Sequence, residues 1–177
     1  MTQKVFIISD THFGHAKTFE VFKKENGEPL RPFKSLEEMH GVFIKNWNSV
    51  VQNEDLVLHL GDVAFDGTSY DWIMPQLNGT KYLIRGNHDR FSEGRYQAHF
   101  NRILGCYVRD NYAFTHVPIH PESGSRWIRN VHGHVHSNTL KDTNYINCSV
   151  ENINYTPVDF DEIKKFVEDK PYGVFMK

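Results

Sequence analysis

Five short segments of the chain carry side chains able to hold divalent cations: Asp10-Thr11-His12, Gly61-Asp62, Gly86-Asn87-His88-Asp89, Thr115-His116 and Gly133-His134-Val135-His136. Carboxylate and imidazole are hard to borderline donors that suit Mn2+, Fe, Zn2+ and similar ions, and the lack of cysteine in these segments argues against a structural zinc site. Asp10 and His12 are two positions apart, as are His134 and His136, so each pair faces one side of a continuing strand. Gly61, Gly86 and Gly133 permit the sharp turns and close backbone approach that a clustered site requires. Taken singly, each fragment is ordinary: Asp-x-His and Gly-Asp are common turn sequences, and Asn87 and Asp89 can serve only to bond the local backbone. Their order along the chain makes them a signal.

These side chains need elements to bring them together. Lys4–Ser9, Asp55–Leu60 and Lys81–Arg85 read as short β-branched and aromatic strands, each followed directly by one of the first three segments. Between the first two strands, residues from Ser35 to about Gln52 have helical apolar spacing (Leu36, Met39, Phe43, Ile44, Trp47, Val50, Val51), and Ser35 with Glu38 forms a capping box. A short helix is expected from Tyr70 to about Leu77, disturbed by Pro75, and another from Phe91 to about Ile103. Strands follow at Cys106–Val108, Tyr112–Thr115, Asn130–His132 and Tyr145–Val150, then a final helix from Asp159 to about Glu168, where Asp159 and Glu162 are spaced as a cap. The pattern implies a mixed α/β sandwich with helices on its outer faces, and the crevice beyond the strand ends is where such folds bind ligands.

Composition narrows the function. A chain of 177 residues fits one domain over residues 1–177, and its net charge of −2 argues against a dedicated surface for long nucleic acid. Cys106 and Cys148 form no metal or disulfide pattern, which points to a reducing compartment. The opening MTQKVFIISD is too short an apolar run for a signal-peptide core, and no stretch nears 18 apolar residues, so a cytoplasmic protein without a membrane span is expected.

With these motifs in place, the sequence resembles the calcineurin-like metallophosphoesterase superfamily. Its pattern, D-x-H, GD, GNH(D/E), H and GH-x-H, is complete between Asp10 and His136, and DTHFGH and GHVH resemble the small single-domain members of bacteria and their phages. The resemblance implies a two-sheet αββα sandwich. It also implies that Asp10, His12, Asp62 and His136 surround one metal, and that Asp62 bridges to a second held by Asn87, His116 and His134. His88 would face the scissile phosphate without binding metal.

Two divalent ions about 4 Å apart neutralise phosphate oxygens and lower the pKa of water between them, and a shared carboxylate such as Asp62 offsets their mutual repulsion. Of the candidate ions Mn2+ is expected first, with Ni2+, Zn2+, Fe or Mg2+ as alternatives. The leaving alkoxide needs a proton, for which His88 is the candidate, with Asp89 orienting its ring. Asn87, His88, His15 and Arg126 are the expected substrate contacts, Arg85 is a weaker one, and Arg129 reads as solvated surface charge. His59 and His132 read as strand residues, His120 as a turn residue, and His40 and His99 as helix-surface residues.

The expected function is hydrolysis of a small phosphodiester or cyclic nucleotide. A phosphomonoesterase and a non-catalytic metal-binding scaffold are the alternatives, although a scaffold should show damaged ligand positions and none is damaged here. The loops Thr18–Lys34 and Ser92–Arg102 are where specificity should lie, and they carry no readable code. Oligomeric state is open at this level.

Overall fold

The computed structural model describes residues 3–123 and 129–169. Along the chain the elements are β1 (Val5–Ile8), α1 (Lys17–Glu20), α2 (Leu36–Val50), β2 (Leu56–His59), α3 (Gly67–Ile73), β3 (Thr80–Ile84), α4 (Glu93–Gln97), β4 (Arg102–Leu104), β5 (Tyr107–Arg109), β6 (Tyr112–Phe114), β7 (Arg129–His132), β8 (Tyr145–Asn147), β9 (Val158–Asp159) and α5 (Phe160–Asp169). They build two sheets, ordered β4-β3-β2-β1-β9 and β5-β6-β7-β8. β1 to β4 are parallel, β9 is antiparallel on β1, and in the second sheet only β5 is antiparallel.

Every residue of β1 and β2 is buried, which is why both read as continuous apolar runs rather than alternating ones. One core joins the sheets: Ile7, Leu58 and Leu83 from the first belong to the same apolar cluster as Phe114, Val131 and Ile146 from the second. α2 lays Phe43 against Phe13 and Tyr155, and α5 sets Phe160 edge-on to Tyr112 and Phe114. The two-sheet α/β sandwich expected from the sequence is therefore the fold observed.

The α2 cap forms as expected on one side, with Ser35 Oγ accepting from the Glu38 amide at 3.1 Å. On the other side the Glu38 carboxylate takes the Lys34 amide at 2.7 Å. Asp159 caps α5 by accepting from the Asp161 amide at 3.0 Å.

Several expectations need correction. The segment from Phe91 is helical only over Glu93–Gln97, and Arg102–Leu104 pairs in parallel with Tyr82–Ile84, because completing the sheet edge outweighs a local helical pattern. α3 starts before Tyr70, where Asp66 caps it through the Ser69 amide at 2.9 Å, and Pro75 falls in a separate 3-10 turn at Met74–Gln76. β8 stops at Asn147, and a 3-10 turn over Val150–Asn152 follows it. His40 is not a surface residue. It is 6% exposed, and its Nε2 accepts the Gly14 amide at 3.0 Å, tying α2 to the loop after β1.

The loops that carry the motifs continue the strand pairing. Beyond β1 and β2, the amides of Asp10, His12 and Phe13 donate to the carbonyls of Gly61, Asp62 and Val63 at 2.9–3.0 Å. In the second sheet the Gly133 amide donates to the His116 carbonyl at 2.9 Å. The sheets meet at this same end, where Ser9 bridges Ser149.

Candidate metal centre

Five of the nine described non-glycine residues with positive φ are motif residues: Asp10, His12, Asp62, His134 and His136. Each such backbone costs about 1–3 kcal/mol and persists only where its surroundings dictate it. Two glycines make room for them. A Cβ on Gly133 would collide with Ser9 Oγ and Asp10 Oδ2, and one on Gly86 would collide with the Asp62 carboxylate and amide.

The donors converge in two overlapping groups, since Asp10, Asp62 and His116 also place ligand atoms within 4.8 Å of one another. In the first, ligand atoms of Asp10, His12 and His136 lie within 4.8 Å of one another, and the His12 and His136 rings stack at 5.2 Å. Asp10 Oδ2 accepts from the His134 amide and from Ser149 Oγ, both at 2.9 Å, while its Oδ1 is buried without a partner. Both ring nitrogens of buried His12 likewise lack a hydrogen-bond partner. Orphaned acceptors in a dry site are costly, and a cation among them removes that cost.

In the second group His116 Nδ1 donates to the Leu60 carbonyl at 2.8 Å, which leaves the Nε2 lone pair facing inward. That nitrogen stands 2.8 Å from Asn87 Oδ1 and 3.2 Å from His134 Nδ1, and His134 Nδ1 is 2.9 Å from the same Asn87 oxygen. Donors about 2.1 Å from one ion stand about 3.0–3.4 Å apart at octahedral or tetrahedral angles, so the spacing suits atoms around a shared cation. Asp62 joins the two groups: its Oδ2 is 3.4 Å from His12 Nε2 and also 3.4 Å from His116 Nε2. The donor chemistry and the orphaned atoms together fit a divalent metal centre.

Electrostatics follow from this crowding. Burial opposes the Asp62 charge, but the imidazoles of His116 and His12 outweigh it and hold the carboxyl far below its ordinary range. Burial likewise opposes charging of His116 and His136. Asp62 and Asp10 outweigh it at His116, and Glu151 does so at His136, raising both rings. His134 is lowered, by burial and then by His116.

Two buried charges that no motif announces brace the first group. Glu151, with its side chain 2% exposed, accepts from His136 Nδ1 at 3.2 Å and from Arg31 Nε at 2.8 Å. Arg31 is fully buried and spends its other donors on the carbonyls of Thr11 (2.8 Å) and Asp10 (2.6 Å). Burial would raise the Glu151 carboxyl, yet Arg31 and His136 hold it down at about 2. The carboxylate-histidine arrangement fixes the ring and turns its other nitrogen toward the site.

Asp89 does not orient the His88 ring, contrary to the sequence reading. Its carboxylate is buried and accepts the amides of Asp62 (2.8 Å), Val63 (3.0 Å) and Gly86 (2.8 Å), with the Tyr96 hydroxyl at 3.2 Å. Burial raises its pKa against the three amides. Asp89 therefore holds the Asp62 and Asn87 loops in register.

His88 is half-buried with its ring 5.4 Å from that of His12, and its amide donates to Asp62 Oδ1 at 2.8 Å. His15 is buried 5.6 Å from His12 and stacked flat on Phe65 at 4.0 Å, and burial, then His12 and Arg31, lower it to about 4. Arg85 gives Nε to the Asp89 carbonyl and Nη2 to the Phe91 carbonyl, so it braces a loop. Arg126 falls outside the described residues. His59 is a buried strand residue bonded to Thr11 Oγ1, as expected.

Comparison with known proteins bears on the same residues. A family model described as calcineurin-like phosphoesterase matches residues 3–176. An uncharacterized protein of Methanocaldococcus jannaschii is 37% identical over 181 residues, covering 94% of this chain and 92% of its own. The gene 66 protein of Mycobacterium phage L5 is 32% identical over 104 residues, 56% of this chain and 45% of its own. A solved structure from Aquifex aeolicus, of a protein of unknown function, is similar with a TM-score of 0.73 at 25% identity, covering 93% of this chain and 100% of that one. Its motifs, its two-sheet fold and the family match across residues 3–176 make this chain a member of the calcineurin-like phosphoesterase family of metal-dependent phosphoric ester hydrolases.

Proposed function

We propose that the chain hydrolyses small phosphodiesters at a centre of two divalent ions, Mn2+ foremost. The observation that carries this reading is Asp62 Oδ2, 3.4 Å from a nitrogen of each donor group. Asp10, His12 and His136 would hold one ion, Asn87, His116 and His134 the other, and Asp62 both. Bound there, the ions would supply charge neutralisation at the phosphate oxygens and water of lowered pKa.

The chain's own groups do the rest. Asn87, exposed at the rim, and His88 contact the substrate phosphate. The His88 ring gives its proton to the leaving alkoxide oxygen, and the bond from its amide to Asp62 fixes the loop that presents it. His15 stands by as a neutral ring beside the same space. A diester is favoured over a monoester because a dianionic phosphate calls for additional cationic contacts. Arg31 and Arg85, which flank the motif loops, have their bonds on backbone carbonyls and on Glu151. An intact donor set favours an enzyme over a metal-binding scaffold. Two free thiols, Cys148 buried, agree with a cytoplasmic setting, and no helix among the described residues is long and apolar enough to cross a membrane.

The test is to strip the protein of metal, resupply Mn2+, Ni2+, Zn2+, Mg2+ or Fe, and assay mono- and diester phosphates alongside elemental analysis. Two ions per chain are expected, with bis-nitrophenyl phosphate hydrolysed at least as well as nitrophenyl phosphate. At most one ion in a fully active protein would overturn the dinuclear reading. Preference for the monoester with every metal would overturn the diester assignment.

A further inference from the structure

Exposed apolar side chains are informative where they cluster, and three of them share one groove beside the metal centre. Of the seven exposed among the described residues, Val21, Phe22 and Leu140 line one groove, and Phe65 lies against His15 nearby. The groove has a volume of about 730 Å³, within the range of small-molecule sites. His134 and His136, members of the two donor groups, also line it. A molecule whose phosphate sits at the centre can therefore place its esterified group in this groove.

The two lining segments differ in chemistry. One segment supplies Val21, Phe22, Lys23 and Leu30, with the Phe22 ring edge-on to His15 at 5.5 Å; the other supplies a run of Ser137, Asn138 and Thr139 that ends in Leu140. An aromatic ring on one lining segment and hydroxyl and amide groups on the other suit a flat ring with a hydrogen-bonding edge better than a flexible alkyl chain.

Both segments are held in place. The Leu30 amide donates to the Phe22 carbonyl at 2.8 Å, and Lys23 pairs with Pro29 as an antiparallel bridge. On the other segment, Asn147 Nδ2 donates to the carbonyls of His136 (2.8 Å) and Asn138 (2.9 Å). A stable interface between copies buries about 800 Å² on each partner, and a concave cleft lined by metal ligands is a poor shape for it.

We propose that this groove is the subsite for the organic group of the substrate, and that the group is an aromatic or heteroaromatic ring. The proposal rests on the phosphoesterase reading. Inert phosphonates test it without the complication of leaving-group chemistry. Binding of methylphosphonate and benzylphosphonate to the Mn2+-loaded protein would be measured by calorimetry in the wild type, Phe22→Ala and Leu140→Asn.

Burying one phenyl ring should give the wild type about a tenfold or larger preference for benzylphosphonate. Each variant should lower that ratio about threefold or more. A wild-type ratio near one overturns the subsite, as does a ratio unchanged in both variants. A change of oligomeric state in the variants with no change in ratio assigns the groove to a second copy and overturns it too. If neither phosphonate binds and no phosphate ester is hydrolysed, the phosphoesterase reading itself fails and the subsite falls with it.

Discussion

The two donor groups of the metal centre are built in different ways. In the Asp10, His12 and His136 group two members are deep, Asp10 at 0% and His12 at 3% exposed, while the His136 side chain is 28% exposed, and the brace is a buried ion pair brought from Arg31 and Glu151, 120 residues apart in sequence. The Asn87, His116 and His134 group leaves Asn87 and His134 exposed, and its supports are a backbone carbonyl and the Asp89 carboxylate among amides. Depth and charge go together for a physical reason. Orphaned donors in a dry interior need strong fields to hold them, whereas donors at the rim are partly held by water and by each other. With His116 itself buried at 4%, the halves differ in degree: the first has two deep members and a charged brace, and the second has two exposed members, Asn87 and His134.

The largest effect should come from the atom that belongs to both halves. Asp62→Asn is expected to abolish turnover and lower bound metal at both positions, read by elemental analysis beside activity. Loss of one ion alone would mean that Asp62 serves a single half.

His88→Ala should keep both ions and lose roughly 10²-fold in turnover of an alkyl ester, because the proton donor is gone. The loss should shrink for a nitrophenyl ester, whose leaving group needs no proton. Equal losses on both substrates, or a missing ion, would move His88 from proton donation to the phosphate or the site structure.

Glu151→Gln tests the deep half by itself. Removing the carboxylate that holds His136 and Arg31 should weaken one ion by roughly 10–100-fold while the second stays bound. The metal-stripped variant should also lose about 3–5 kcal/mol in urea unfolding, since Arg31 is left buried without its partner. Equal weakening of both ions would erase the distinction between the halves.

Asp89→Asn is expected to act mainly on the fold. Its amide group cannot accept from all three backbone donors, so stability should fall by about 1–3 kcal/mol with a smaller change in metal affinity. The smallest effect is with pH. The Glu151 carboxyl sits at about 2 when folded, below its ordinary 4.5, so its contribution is full above about 4.5 and fades as pH falls toward 2. Acid unfolding of the metal-stripped wild type should be steeper across that window than that of Glu151→Gln.

Legibility in the sequence divides along a similar line. The candidate donors were readable because metal chemistry restricts residue type and strand ends restrict spacing, and the fold brings Asp10, His12, Asp62, Asn87, His116, His134 and His136 close together. α2 was readable from its apolar period and cap. Arg31 and Glu151 were not: a buried ion pair between a loop and a 3-10 turn leaves no periodicity and no motif. Asp89 was read with the wrong partner because adjacency to His88 in sequence says nothing of where its carboxylate turns.

By itself, then, the sequence determined the class of chemistry, the order of the strands that present it and the donors available, since these depend on residue type and local period. Only the tertiary structure decided how closely the donors approach one another, which charges brace them, and that residues from Val21 to Leu30 line a groove with the chain after His136. Those relations join segments far apart in sequence, Arg31 and Glu151 by 120 residues, and their energy comes from burial and desolvation, which exist only once the sheets have packed.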